Sequence, residues 1–215
     1  MERFKSLASE ALHQLNGELA GKAPEEVIER ALAFGGQAMA TTSFGPHAAV
    51  LLHMLSRLAP GLPVVWVDTG YNLRDTYRVA EQLMERLQIN MQVYTPLVTA
   101  ERRNALFGGI PTVDDAERHR EFTRQVKLEP FGRAVAALQP DVWFTGIRAE
   151  ETLHRRGLDI LSHDTRGMLK VAPLFHWTQA ELEHYLRRHD LPSCRHYFDP
   201  TKVLEGRECG LHTAA

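Results

Sequence analysis

The sequence predicts an α/β fold, a mostly parallel sheet with helices on both faces. Three observations predict it. Short apolar, β-rich runs recur at Ala38–Thr42, Pro63–Val67, Met91–Tyr94 and Val142–Thr145. Segments of helical period separate them, giving the strand–helix alternation of βαβ units, whose helices cover both faces of a parallel sheet. Polar signatures stand at the ends of three of the runs: Ser43–His47, Asp68-Thr69-Gly70 and Gly146-Ile147-Arg148. In open α/β sheets ligands bind at that edge.

Element by element, residues 5–34 read as helices, with Leu12, Leu15 and Leu19 at helical spacing and Pro24 near a second helix start. Ala38–Thr42 is a short buried strand, Ser43–His47 a tight loop, and Ala48–Leu58 an apolar helix. Pro63–Val67 is the next strand. A helix over about Arg74–Leu87 follows, with Tyr77, Ala80, Leu83 and Leu87 on one side, and then strand Met91–Tyr94. Residues 99–126 are polar and read as loop with short helix. Pro130–Leu138 is helical, Val142–Thr145 a fourth strand and Leu169–Leu174 a candidate fifth. Thr178–Arg188 is a helix with Thr178 as N-cap and Glu181 at the capping-box position. The pattern stops after Leu191-Pro192. The chain divides into an α/β domain over 1–191, with N-terminal helices, and a C-terminal tail over 192–215.

At 215 residues the chain is long enough for a packed core without staples. Hydrophobic residues make up 44% and charged residues 24%, as in soluble globular proteins. A net charge of −2 gives no global basic field, which argues against nucleic acid as partner. No apolar run approaches the roughly 20 residues of a membrane span, and the polar N-terminus lacks a signal-peptide core. Two cysteines, Cys194 and Cys209, make neither a disulfide framework nor a four-thiolate site. The eleven histidines include no helical metalloprotease pair, so no metal site is expected. The expected location is the reducing cytoplasm, where a thiol stays free for chemistry.

Four motifs can carry chemistry. Thr41-Thr42-Ser43-Phe44-Gly45-Pro46-His47-Ala48, rich in small and hydroxyl residues, enters a helix and can aim N–H groups, hydroxyls and the helix dipole at a phosphate. A plain strand-to-helix turn is the competing reading. Asp68-Thr69-Gly70 can contact a nucleoside or cap the next helix. The stretch from Gly146 to Arg156 sets Arg148 and Arg155 at a strand end, suited to bidentate grip on phosphate or sulfate. Taken alone it equally fits a solvated helix face with Glu/Arg pairs. Arg207-Glu208-Cys209-Gly210-Leu211-His212 places a thiol near the chain end, where Arg207 and His212 favour the thiolate. An idle exposed thiol is the alternative. Cys194 reads as structural or incidental.

In this order the motifs resemble the sulfonucleotide reductases, thioredoxin-dependent enzymes that reduce 3′-phosphoadenylyl sulfate (PAPS) or adenylyl sulfate (APS) to sulfite. The resemblance runs from about Gln37 to His212 and is most specific at Glu208-Cys209-Gly210-Leu211-His212. Thr42-Ser43-Phe44-Gly45 is similar to the family's modified PP-loop. Asp68-Thr69-Gly70-Tyr71 and Thr76-Tyr77 are similar to its nucleotide-lining segment. Lys127-Leu128-Glu129-Pro130, Gly146-Ile147-Arg148, Thr152 and Arg155 also fall on family positions.

The resemblance implies an adenine-nucleotide α-hydrolase-like (PP-loop) sheet and often a homodimer. It implies a PAPS reductase of assimilatory sulfate reduction and cysteine biosynthesis. Cys209 would attack sulfur, giving an S-sulfonate that thioredoxin (or glutaredoxin) resolves. Catalysis then falls to Cys209, Arg207 and His212. Substrate binding falls to Thr41, Thr42, Ser43, Phe44, Gly45, Asp68, Thr69, Gly70, Lys127, Gly146, Arg148 and Arg155. Where APS-preferring members carry a Cys-Cys pair of an iron–sulfur cluster, this chain has Phe122-Thr123, and the second cysteine pair has no counterpart, so no cluster is expected.

Pro192–Arg207 is shorter than the family's usual segment, so the contacts of the missing part either fall to residues such as Lys202 and Arg195 or are lost. A cluster-free APS reductase is the nearest alternative. A PP-loop nucleotidyl transferase or ATP pyrophosphatase is disfavoured by Pro46-His47 after Gly45, and a non-enzymatic nucleotide-binding protein is the third reading.

Overall fold

The computed structural model describes residues 9–112, 114–202 and 211. Two helices, α1 (Ser9–Leu19) and α2 (Pro24–Ala33), lead into β1 (Ala38–Thr42) and α3 (Ala48–Leu58). Next come β2 (Pro63–Val67), α4 (Arg74–Leu87) and β3 (Asn90–Tyr94). The stretch read from sequence as loop with short helix contains α5 (Ala100–Phe107) and α6 (Ala116–Thr123). Each is started by a side-chain cap: Thr99 accepts from the Arg102 N–H and Asp115 from the Arg118 N–H. A π-helical turn, Arg124–Leu128, joins α6 to α7 (Glu129–Leu138). Then follow β4 (Val142–Phe144), the short α8 (Leu153–Arg156), β5 (Leu161–His163), β6 (Leu169–Val171) and α9 (Gln179–Arg188). The expected capping box of α9 is present. The Glu181 N–H donates to Thr178 Oγ1 (3.3 Å), and Glu181 Oε2 accepts from the Thr178 N–H (2.7 Å).

The six strands lie in the order β3-β2-β1-β4-β6-β5, all parallel except β5, which runs antiparallel to β6. This is the mostly parallel sheet the sequence predicts, with one addition. Strand β5 is only Leu-Ser-His, too short to show a period-2 signal.

The strands divide their side chains between two faces, as a pleat requires. Ala40, Val64, Trp66, Val142 and Phe144 join the main core with buried residues of α2, α3, α4 and α9. Met39, Val65 and Trp143 point the other way, onto Phe131 and Ala134 of α7 and onto Met168. Both faces are therefore dry, which is why the strands read as apolar runs rather than alternating ones.

The chain winds from β1 through β2 to β3 in one direction, and from β4 to β6 in the other. The order reverses between β1 and β4, and the crevice beyond their carboxyl ends is where such sheets bind ligands. Residues 192–202 pack back over this edge. Ser193 Oγ donates to the Pro46 carbonyl (2.7 Å), Cys194 is fully buried, and the Tyr197 ring lies against the loop at Gly45.

Candidate active site at the sheet switch point

A cavity of about 220 Å³ opens at the β1/β4 crevice. One wall is the loop after β1: Thr41, Thr42, Ser43, Gly45, Pro46, His47 and Ala48 line it. Phe44 adopts a left-handed backbone (φ +51°), rare for a residue with a large side chain. That turn sends its ring into the core, edge-on to Trp66 at 4.9 Å between centroids, and leaves Ser43 exposed on the other side. Thr41 Oγ1 accepts from the Trp143 indole N–H (2.9 Å), and Thr42 Oγ1 accepts from the Phe44 N–H (3.1 Å). A hydroxyl that accepts still has its own proton to donate, so both can donate into the cavity. The start of α3 adds the positive end of its dipole, and no acidic residue stands in its first turn.

The opposite wall carries the cations. Arg148, in the loop after β4, and Arg155, on α8, are both buried and both line the cavity with Gly146 and Ile147. Burial removes these two from the solvated-face reading of this stretch, whereas Arg156 does lie exposed. Arg148 pairs with Glu150, donates to the Trp177 carbonyl (3.1 Å) and stands 3.9 Å from Glu151. Arg155 pairs with Glu151, and its backbone N–H donates to Thr152, the N-cap of α8.

On a third side the π-helical turn presents Lys127, 7% exposed at its side chain. π-helical turns recur at functional sites. Its ammonium meets Asp199 at 2.6 Å, an acid 5% exposed, and donates to Thr201 Oγ1 (3.3 Å). Burial alone would raise the Asp199 carboxyl, but the Lys127 charge and hydrogen bonds from Lys127 and Thr201 outweigh it and hold it below the usual range.

The structure thus brings Thr41, Thr42, Ser43, Gly45, Thr69, Lys127, Gly146, Arg148 and Arg155 to one cavity. Three others stand back from its wall. The Phe44 ring is core, and the residue contributes backbone shape. The Asp68 carboxylate accepts from the Gly70 N–H (3.0 Å), Asn72 Nδ2 (2.9 Å) and the Tyr77 hydroxyl (2.8 Å), organising the loop after β2. Burial, and then the bond to Asp68, push the Tyr77 phenol up to about 12. Gly70 has φ +78°, and a Cβ there would meet the Ala100 Cβ at 3.2 Å, so its place is set by the turn and by α5. Cys209, Arg207 and His212 lie outside the described residues. Leu211 is described, and it lines the cavity and packs on the α7-side core.

Asn72, Tyr197 and Asp199 also line the cavity and lie outside the four motifs, whereas His47 and Glu151 lie within motifs but have no binding role assigned from sequence. Burial, and then the Arg148 charge, lower the His47 imidazole below its ordinary value; Glu183, Glu151 and Glu150 oppose this. Of the two residues expected to replace the shortened segment, Lys202 lines the cavity and Arg195 is exposed. Cys194 Sγ donates to the His196 carbonyl (3.2 Å) and lies 3.6 Å from Thr76 Oγ1, a packed thiol. Phe122 and Thr123 are both buried, and the Phe122 ring carries the Arg103 guanidinium at 4.4 Å. Among the described residues no three His, Cys, Asp or Glu converge to hold a metal ion, and no helix is long and apolar enough to cross a membrane.

Residues 37–202 match the phosphoadenosine phosphosulfate reductase domain. A phosphoadenosine 5′-phosphosulfate reductase of Synechocystis sp. is 37% identical over 197 residues, covering 91% of this chain and 78% of the relative. One from Synechococcus sp. is 34% identical over 183 residues, covering 85% and 78%. Among solved structures, the phosphoadenylyl-sulfate reductase of Candida auris in its phosphate complex superposes with a TM-score of 0.76 at 24% identity, covering 88% of this chain and 90% of that one. An FMN adenylyltransferase of Candida glabrata reaches 0.58 at 14% identity, covering 89% and 62%. These two likenesses concern the fold alone. On the domain match and the sequence relatives together, this chain belongs to the phosphoadenosine phosphosulfate reductase family.

Proposed function

We propose that this protein reduces PAPS to sulfite and adenosine 3′,5′-bisphosphate, with Cys209 as nucleophile and thioredoxin, or glutaredoxin, as electron donor. One observation carries the reading: the hydroxyl loop at the start of α3 and the buried Lys127, Arg148 and Arg155 face one another across a single cavity at the switch point. Donors on one side and fixed cations on the other suit a ligand carrying two linked anionic groups. The nucleotide phosphate is assigned to the loop and the sulfonyl end to the cations. Leu211, which belongs to the same sequence motif as Cys209, lines the cavity.

In this reading the Cys209 thiolate attacks the sulfonyl sulfur. An S–S bond forms, the S–O bond to phosphate breaks, and the electron pair leaves on adenosine 3′,5′-bisphosphate. The cations offset the charge that builds on the leaving phosphate. A thioredoxin thiolate then attacks Cys209 Sγ and expels sulfite, and thioredoxin's second thiol returns Cys209 as a thiolate while thioredoxin becomes a disulfide. Arg207 and His212 favour the attacking thiolate. No iron–sulfur cluster enters the chemistry. A homodimer in the reducing cytoplasm belongs to the same reading and rests on the family resemblance.

PAPS is preferred over APS because the matched sequence relatives are named for it. The test is sulfite release from each sulfonucleotide with reduced thioredoxin. PAPS turnover is expected, lost in Cys209→Ser while adenosine 3′,5′-bisphosphate still binds. Retained turnover in that variant overturns the assignment, and faster turnover of APS overturns the substrate preference.

A further inference from the structure

The two arginines assigned to the sulfonyl end are not waiting empty-handed. The Arg148 backbone N–H donates to Glu151 Oε2 at 3.0 Å, the Arg155 guanidinium pairs with that same oxygen, and Arg148 Nη2 lies 3.9 Å from Glu151 Oε1. A backbone donor and two guanidinium groups converging on one planar anion make an oxyanion site, and a carboxylate from the chain itself sits in it. Glu151 lines the same cavity as the loop after β1.

The burial is asymmetric. The arginine side chains are 7% and 5% exposed, whereas Glu151 is 35% exposed. A guanidinium held this deep needs a counter-anion, since an unpaired buried charge is costly. The acid has no such need. It regains water when it swings out, provided another anion takes its place. Arg148 also donates to the Trp177 carbonyl and pairs with Glu150.

We infer that Glu151 is a resident counter-anion, a specificity-determining residue that the sulfonyl group of the substrate displaces from Arg148 and Arg155. This deepens the reductase reading and rests on it. The resident carboxylate stabilises the empty site and raises the threshold for entry, so only a ligand that delivers an oxyanion to both arginines competes well. Adenosine 3′,5′-bisphosphate, which lacks the sulfonyl group, gains less from the exchange and leaves more readily, as Glu151 returns to its place.

The test compares Glu151 with Glu151→Gln, both in a Cys209→Ser background so that bound PAPS is not consumed. Calorimetric titration with PAPS and with adenosine 3′,5′-bisphosphate gives four dissociation constants. Glutamine keeps an oxygen for the Arg148 N–H and removes the charge, so PAPS is expected to bind about tenfold tighter, on the scale of one partly exposed charge-assisted contact. The product should tighten by less. A purely structural role for Glu151 gives the opposite sign, weaker binding with a lowered Tm. Unchanged or weaker PAPS binding by Glu151→Gln, or equal tightening of both ligands, overturns the inference and leaves the reductase reading standing. Failure of the Glu151 protein to bind either ligand overturns the reductase reading itself.

Discussion

Two kinds of ion pair border the cavity, and they differ in where the acid sits. In the Lys127–Asp199 pair both partners are buried, at 7% and 5% exposure. In the Arg148 and Arg155 cluster the cations are buried but the acids Glu150 and Glu151 reach water. A pair buried at both ends cannot open without stranding a charge, so it acts as a fastener. Here it fastens the segment around Asp199 to the π-helical turn before α7, across 72 positions of sequence. A pair buried at one end only can trade its acid for another anion. The same cavity thus has one wall built for permanence and another built for exchange.

The sharpest way to break this contrast is Asp199→Ala. It leaves the Lys127 ammonium buried without Asp199, and removing one partner of a buried pair typically costs about 3–5 kcal/mol. A fall in Tm and in the denaturant midpoint is expected. Because the Asp199 carboxyl lies below its ordinary value in the folded protein, its stabilisation is full above the unfolded value of about 4 and is lost as pH falls through the lower folded one. Acid unfolding should therefore show a stability loss below about pH 4 that is absent from Asp199→Asn. A variant as stable as the parent would remove the fastener from the account.

Arg155→Met tests the other wall. Glu151 keeps the Arg148 N–H and its access to water, so stability should change by no more than about 1 kcal/mol, while PAPS affinity falls by about 2–3 kcal/mol, roughly 30- to 150-fold. Thermal melts and titration of the same preparation separate the two. Equal losses in both would erase the distinction between the walls.

The smallest expected effect concerns His47, which lines the cavity near Arg148. Its imidazole is held below the ordinary value of about 6.5, so the fold favours the neutral form. That contribution is full above about pH 6.5 and is lost as pH falls through the lower folded value. An oxyanion seated on Arg148 offsets the repulsion, so the His47 midpoint, followed by NMR, should move upward when PAPS is added to the Cys209→Ser protein. An unmoved midpoint would place the anion elsewhere.

Much of the sheet was legible because local signals agreed with the global fold. The runs at 38–42 and 63–67 are strands with the same bounds, and Thr178 and Glu181 form the box their spacing announces. The antiparallel edge strand Leu161–His163 was not legible, since three residues carry no period. Within the site, glycines and hydroxyls after β1 and arginines after β4 declared themselves by position. Asp199 did not, because its role comes from Lys127 far away in the chain, and no local pattern marks a buried pair before the chain folds. Glu151 was visible as one member of a Glu/Arg spacing, but the same spacing describes a solvated helix face. Only burial of Arg148 and Arg155 separates the two.

The most direct measurement is intact-protein mass after incubation with PAPS in the absence of thioredoxin, followed by peptide mapping. A gain of one SO₃ unit located on Cys209, discharged as sulfite when reduced thioredoxin is added, is the expected result. An unmodified Cys209 in protein that has consumed PAPS, or an adduct on Cys194 instead, would contradict the claim that this cavity serves a Cys209 thiolate.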